Sequence, residues 1–160
     1  MVVVRGVGGT AAGCTIRKAV LDDIPDIYRI ELTCFSDPWD YKGMIEMMTL
    51  YLTSFYVAEA EGRIVGFSAG MIEETDEEKY GHVCNIAVVP ELRGFGIGRL
   101  LLRKVERDFF LEGCCACSLE VRASNTAAHG FYEKIGYEDV IVFGEYYADG
   151  EDAIVMMRWF

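Results

Sequence analysis

Residues 80–102 read YGHVCNIAVVPELRGFGIGRLLL, and the reading of this stretch decides the fold. It opens as a strand, because Val83, Ile86, Val88 and Val89 form a largely β-branched apolar run that Pro90 stops. The chain then turns through Arg93, Gly94, Phe95, Gly96, Ile97 and Gly98. It enters a helix whose apolar face is Leu101, Leu102, Val105 and Phe109. A strand, a glycine loop and a helix start together make a place for an anion. Glycine lets backbone approach closely, and the first helical amides have no partner within the helix. The ligand implied is a phosphate or pyrophosphate.

The spacing excludes two common phosphate loops. No Lys-Ser or Lys-Thr follows the last glycine, as GxxxxGK[ST] requires, and Arg99 stands where GxGxxG needs its third glycine. What remains is Arg-x-x-Gly-x-Gly, set by Arg93, Gly96 and Gly98 directly after a strand ending in Val-Pro. That pattern resembles the acetyl-CoA-binding motif of the GNAT superfamily of N-acetyltransferases.

The rest of the chain suits a domain of that kind. Its 160 residues fit one domain, and the 52% apolar and 12% aromatic fractions exclude general disorder. No apolar run reaches membrane-spanning length, and residues 1–13 are too broken by glycine for a secretory signal. We read residues 1–14 as a flexible tail, residues 15–160 as a single acetyltransferase domain, and the protein as cytoplasmic with no membrane partner. The net charge of −11 excludes nucleic acid as a general partner and favours cationic acceptors such as amines and basic peptides. Arg93, Arg99, Arg103 and Lys104 nevertheless crowd the loop that would hold an anion.

Taken in order, the expected elements begin with a strand over 15–19. A helix capped by Asp22 or Asp23 follows, with Ile24, Ile27, Ile30 and Leu32 as its buried stripe. A second helix spans 41–52. Strands over 55–60 and 63–71 meet at Glu61-Gly62, a hairpin signal, and residues 73–79 read as a solvated acidic loop. After the helix over 98–111 come a buried strand over 116–121 and a helix opened by Asn125. That last helix carries Ala128, Phe131, Tyr132 and Ile135 and is closed by Gly136. Strands over 137–146 and 153–159 complete the chain. The order is strand, two helices, three strands, helix, strand, helix, two strands. It suits an α/β fold with one curved mixed sheet of about seven strands and helices on both faces.

Six cysteines are present. Cys114 and Cys117 form a lone CxxC that follows a helix, so no helix N-terminus lowers a thiol pKa there. Cys14, Cys34 and Cys84 supply no second pair at zinc-finger spacing. Buried, inert thiols and no metal site are the expectation.

A second stretch narrows the resemblance. LEVRASNTAAHGFYEKIGY over 119–137 and EYYADGEDAIVM over 145–156 are similar to the protein N-terminal acetyltransferases, in particular the ribosomal-protein-alanine (RimI-like) branch and its archaeal relatives. The likeness is strong over 80–159 and looser over 15–72. Its implied reaction moves acetyl from acetyl-CoA to the α-amine of a protein N-terminus, a ribosomal protein's included. A monomer or weak homodimer is the expected state.

Such a transfer needs a base, because an α-amino group with a pKa of about 8 is mostly ammonium at neutral pH. Glu120, a carboxylate interrupting a buried strand, is the first candidate; its structural alternative is a salt bridge to Arg122 or Arg99. Tyr132 is the candidate acid, since a phenol with a pKa of about 10 suits a thiolate, and it matches the family's tyrosine that hydrogen-bonds the CoA sulfur; its structural alternative is a plain core aromatic. His82 matches a histidine that assists deprotonation in some archaeal relatives, against a structural histidine, and His129 reads as solvated. By resemblance, Ile86, Ala87 and Val88 present backbone to the pantetheine and acetyl group. Arg93, Gly94, Phe95, Gly96, Ile97, Gly98 and Arg99 hold the pyrophosphate, and Asn125 and Tyr132 meet the CoA arm. Phe35, Asp37, Tyr146 and Tyr147 line the approach for the peptide. Phe35 to Trp39 mixes features of two branches, and Glu145 stands where relatives carry small or uncharged residues. Acetylation of lysine or a small amine, and a non-catalytic CoA-binding subunit, are the competing readings.

Overall fold

The elements follow from apolar periodicity interrupted by turn residues, in the expected order. A computed structural model describes residues 13–160. Its elements are β1 (Cys14–Lys18), α1 (Ile24–Cys34), α2 (Tyr41–Glu46), β2 (Ser54–Ala60), β3 (Arg63–Glu74) and β4 (Lys79–Val88). There follow α3 (Ile97–Leu111), β5 (Ala116–Arg122), α4 (Thr126–Lys134), β6 (Glu138–Phe143) and β7 (Ala153–Trp159). The strands form one seven-stranded sheet in the order β1-β2-β3-β4-β5-β7-β6. It is mixed: β4 and β5 run parallel, while β1–β2, β2–β3, β5–β7 and β6–β7 are antiparallel. Most of the proposed N-terminal tail, residues 1–12, lies outside the described residues.

Two compact units divide the chain. The first takes residues up to Met71 together with Val83–Asp108. Its core gathers Ile24, Ile27 and Ile30 from α1, Met44 from α2, Phe55 and Val57 from β2, Ile64, Phe67 and Ala69 from β3, and Ala87 from β4. At the end of α3, Asp108 accepts from the hydroxyls of Ser54 and Tyr56 on β2. Burial, then that carboxylate, pushes the Tyr56 phenol up to about 12. On β1, Arg17 grips both oxygens of Asp23 at 2.8 and 2.9 Å, and Asp23 also accepts from the Val20 amide. The Arg17 guanidinium holds the Asp23 carboxyl below its ordinary range.

The second unit takes Ile72–His82 and Phe109–Phe160. Here β4 meets β5 in the register Tyr80↔Ala116, Gly81↔Cys117 and His82↔Ser118. Gly81 is there for lack of a side chain: a Cβ would lie 2.0 Å from the ring of Phe109, which is fully buried.

Several expectations are corrected. On α1 the buried position beside Ile30 is Glu31, whereas Leu32 is exposed, because the stripe advances by three and four residues from Ile27. The second helix is α-helical only to Glu46 and continues as a π-helical turn over Met47–Tyr51. The acidic run is loop only at its centre: Glu73 and Glu74 end β3 and Lys79 starts β4, leaving an exposed turn over 75–78 that Thr75 closes by donating to the Glu78 carbonyl. The sixth strand stops at Phe143, since Glu145 has φ +53° with its amide on Asp152. Of the six cysteines, all free, only Cys114 and Cys117 are buried and four are half-buried. Burial pushes the Cys14 and Cys114 thiols up, which keeps them protonated. His129 is not simply solvated: its Nε2 lies 2.7 Å from Asp139 and its Nδ1 3.6 Å from Glu133.

Two outcomes follow from this packing. Gly81→Ala should cost about 1–3 kcal/mol, because the ring it meets has no room to swing out. The measurement is the urea midpoint at constant slope, and an unchanged midpoint would mean that Phe109 repacks freely. Asp23 has a depressed folded-state pKa, so its stabilisation is complete above about pH 4, its ordinary value, and is lost as pH falls through the folded one. Asp23→Asn should therefore lower the melting midpoint at neutral pH and flatten its decline on acidification. Parallel wild-type and variant curves would refute the assignment.

Candidate active site

In the first unit, β4 delivers Ile86, Ala87 and Val88 to the glycine loop, with Ala87 and Val88 buried. A short 3-10 turn, Pro90–Leu92, then leads to Arg93. Arg93 braces the loop from within: its Nε donates to the Val88 carbonyl at 3.0 Å and its Nη2 lies 3.4 Å from Cys34 Sγ. Gly94 and Gly96 have φ of +83° and +86°, a region that residues with a Cβ rarely adopt. A Cβ on Gly94 would meet nothing within 4 Å, so its need is conformational. Ile97 is buried and anchors the start of α3, where the Leu100 amide makes an i→i−4 bond to Gly96. Amides before that bond are the ones a helix start offers to an anion. Phe95 and Gly98 are half-buried and Arg99 is exposed. This donor set fits a pyrophosphate.

The same unit holds the two residues expected at the peptide's approach. Phe35 is half-buried against the core and Asp37 is exposed, in the segment between α1 and α2. Beneath that segment lies a group that the sequence reading passed over. Glu31, 1% exposed, accepts from the Trp39 amide at 3.0 Å and from Asn85 Nδ2 at 3.0 and 2.9 Å. Burial pushes its carboxyl up, against the pull of those donors. An acid seven residues after Ile24 and four after Ile27, on the apolar stripe, was the available signal.

In the second unit, Glu120 faces His82. The Oε2 of Glu120 lies 2.7 Å from His82 Nε2, and His82 Nδ1 lies 3.5 Å from the exposed Glu73. The salt bridge to Arg122 or Arg99 foreseen as the structural alternative is thus replaced by a histidine. Arg122 instead meets Asp149 at 2.9 Å and Glu151 at 3.1 Å, and its guanidinium carbon sits 3.9 Å from the ring centre of Tyr147. Tyr147 stacks edgewise on the half-exposed Tyr146, with ring centres 5.0 Å apart. The structure therefore brings together His82 with Glu120, and Tyr146 with Tyr147.

Tyr132 is buried on α4, with Phe131 and Tyr137 edgewise at 5.2 and 5.7 Å. Burial pushes its phenol well above the usual range, so it carries its proton throughout neutral pH. Asn125 caps α4 through Oδ1, which accepts from the Ala128 amide at 3.1 Å.

A strand, a glycine loop with left-handed turns and a helix start, in a mixed seven-stranded sheet, define an acyl-CoA-dependent transferase. The acetyltransferase (GNAT) family profile matches residues 24–137, and the chain belongs to that family. It is 38% identical over 144 residues to an uncharacterized N-acetyltransferase of Methanocaldococcus jannaschii, covering 89% of this chain and 90% of that one. It is 36% identical over 152 residues to an N-alpha-acetyltransferase of Sulfurisphaera tokodaii, covering 88% and 90%. The solved ribosomal-protein-S18-alanine N-acetyltransferase of Escherichia coli superposes with a TM-score of 0.78 at 30% identity, over 91% of this chain and 93% of that one. The protein is an acetyl-CoA-dependent acetyltransferase. Among the described residues, no helix is long and apolar enough to cross a membrane.

Proposed function

We propose that the protein is an N-alpha-acetyltransferase acting on the free α-amine of protein N-termini, with Glu120 as base and Tyr132 as acid. The observation that carries this reading is the 2.7 Å contact between Glu120 and His82, a carboxylate and an imidazole poised to take a proton. The relatives named for N-terminal acetylation, aligned over nearly nine tenths of the chain, support the acceptor.

Acetyl-CoA supplies a thioester whose carbonyl carbon accepts the amine. Glu120, with His82 behind it, takes the proton of the α-ammonium and frees the nitrogen lone pair. Backbone amides of the Ile86–Val88 segment steady the negative charge on the carbonyl oxygen. As the new C–N bond forms and the C–S bond breaks, Tyr132 gives its proton to the departing thiolate, and the nitrogen's second proton leaves to solvent. The amides from Gly94 to Arg99 hold the pyrophosphate, and Asn125 Nδ2, on the far side of the amide from its cap, donates to the CoA arm. Phe35, Asp37, Tyr146 and Tyr147 receive the peptide, Asp37 by attracting the ammonium. Residues 15–160 act as one catalytic domain following residues 1–14, in the cytoplasm, as a monomer or weak homodimer, on ribosomal or other protein N-termini.

Thiol release from acetyl-CoA over short peptides that differ in their first two residues should show turnover. An N-terminally blocked peptide carrying an internal lysine should give none. Turnover of the blocked peptide alone would move the enzyme to the lysine class. Glu120→Gln and Tyr132→Phe should each lower turnover by about a hundredfold or more while CoA still binds. Normal turnover in both would remove the base and acid assignments.

A further inference from the structure

Glu31 is the most deeply buried carboxylate among the described residues, and the chemistry above leaves it without a task. Glu31 sits on the core-facing stripe of α1, where a carboxylate is costly unless its oxygens are met by donors. Its contacts have a pattern. Its backbone carbonyl accepts from the Phe35 amide at 3.0 Å, and its side-chain Oε1 accepts from the Trp39 amide at 3.0 Å. One residue therefore pins both ends of the Phe35–Trp39 segment. The same carboxylate takes two contacts from the side chain of Asn85, which directly precedes Ile86 on β4. Phe35 and Trp39 pack against the core of the unit, while Ser36 and Asp37 between them face outward.

We propose that Glu31 is a positioning residue that sets affinity for the acetyl acceptor. Its carboxylate fixes the Phe35–Trp39 segment and, through Asn85, ties that segment to strand β4. The inference rests on the reading that Phe35 and Asp37 receive the acceptor. A fold requirement alone would be met by leucine or methionine on that stripe, which fill the volume with no polar atom to satisfy. A carboxylate gives what they lack: acceptors that fix one backbone amide and one side-chain amide at defined distances. The geometry also specifies the partner's chemistry. Asn85 offers donors to Glu31, so an amide at 31 would set its own NH2 against that of Asn85.

The test exchanges the two groups. Glu31→Gln should raise KM for the acceptor about tenfold, the scale of one charge-assisted hydrogen bond, with KM for acetyl-CoA within about twofold of wild type. Adding Asn85→Asp returns a carboxylate opposite an amide and should restore most of the acceptor KM. Asn85→Asp alone should weaken the acceptor as well, by setting two carboxylates against each other. An unchanged acceptor KM in Glu31→Gln overturns the proposal. So does a parallel rise of both KM values with a lowered melting midpoint and no rescue by the double variant, which would leave Glu31 a folding residue only. The assay uses whichever acceptor the wild type turns over, a free N-terminal peptide or the blocked lysine peptide. Lysine turnover would thus refute the proposed function while the KM comparison still decides the role of Glu31. Turnover of neither overturns both.

Discussion

A carboxylate on the buried stripe of α1 is the constraint around which the first unit is arranged. An isolated charge at 1% exposure is too costly to persist, so its surroundings must supply donors or it must take up a proton. Both tendencies are visible at Glu31. Three contacts from nitrogen reach its oxygens, yet burial still outweighs them and raises its pKa. The donors come from a backbone amide after the helix and from a strand 54 residues away. Meeting one carboxylate thus fixes the path of the chain leaving α1 and the side chain that precedes Ile86.

The second unit solves a related problem with opposite means. A chain of net charge −11 gathers carboxylates in its β6–β7 connection, and Arg122 on β5 compensates two of them, Asp149 and Glu151. Because a guanidinium is flat, it serves the carboxylates along its edge and the Tyr147 ring on its face at once. The aromatic pair is thereby carried by a loop that would otherwise repel itself. Glu120 stands two residues before Arg122 on the same strand, and its neighbour is His82, so acid and base on one strand face have separate partners. That separation leaves the Glu120 carboxylate facing an imidazole rather than locked to an arginine.

The legible part of this protein was its local part. The order of elements along the chain, the hairpin at Glu61-Gly62, the glycine loop and the Asn125 cap depend on residues within a few positions of one another. Each rule behind them is short-range. The misreadings share the opposite character. Leu32 reads as the fourth member of the stripe, and Glu31 takes that place, because hydrophobicity alone does not say which donors the fold will bring. The acidic residues 73 and 74 looked like loop because charge was read as solvent exposure, although a strand may end in charged residues whose side chains point outward. The partner of Glu120 lies 38 residues earlier, and Arg122, which with Arg99 was its structural alternative, is taken by a loop 27 to 29 residues later.

The same division separates the two substrates of the reaction. A pyrophosphate is held by backbone amides, and backbone geometry at a glycine loop is written in contiguous residues, so the cofactor can be read from the sequence. The side chains proposed to meet the acceptor have positions set from elsewhere: Phe35 and Asp37 by Glu31 and, through it, Asn85; Tyr147 by Arg122. Substitution at 31 or 85 leaves the glycine motif intact and can still move the segment proposed to meet the acceptor. Within such a fold, acceptor preference is free to drift while the cofactor motif stays recognisable, because the two depend on contacts of different range.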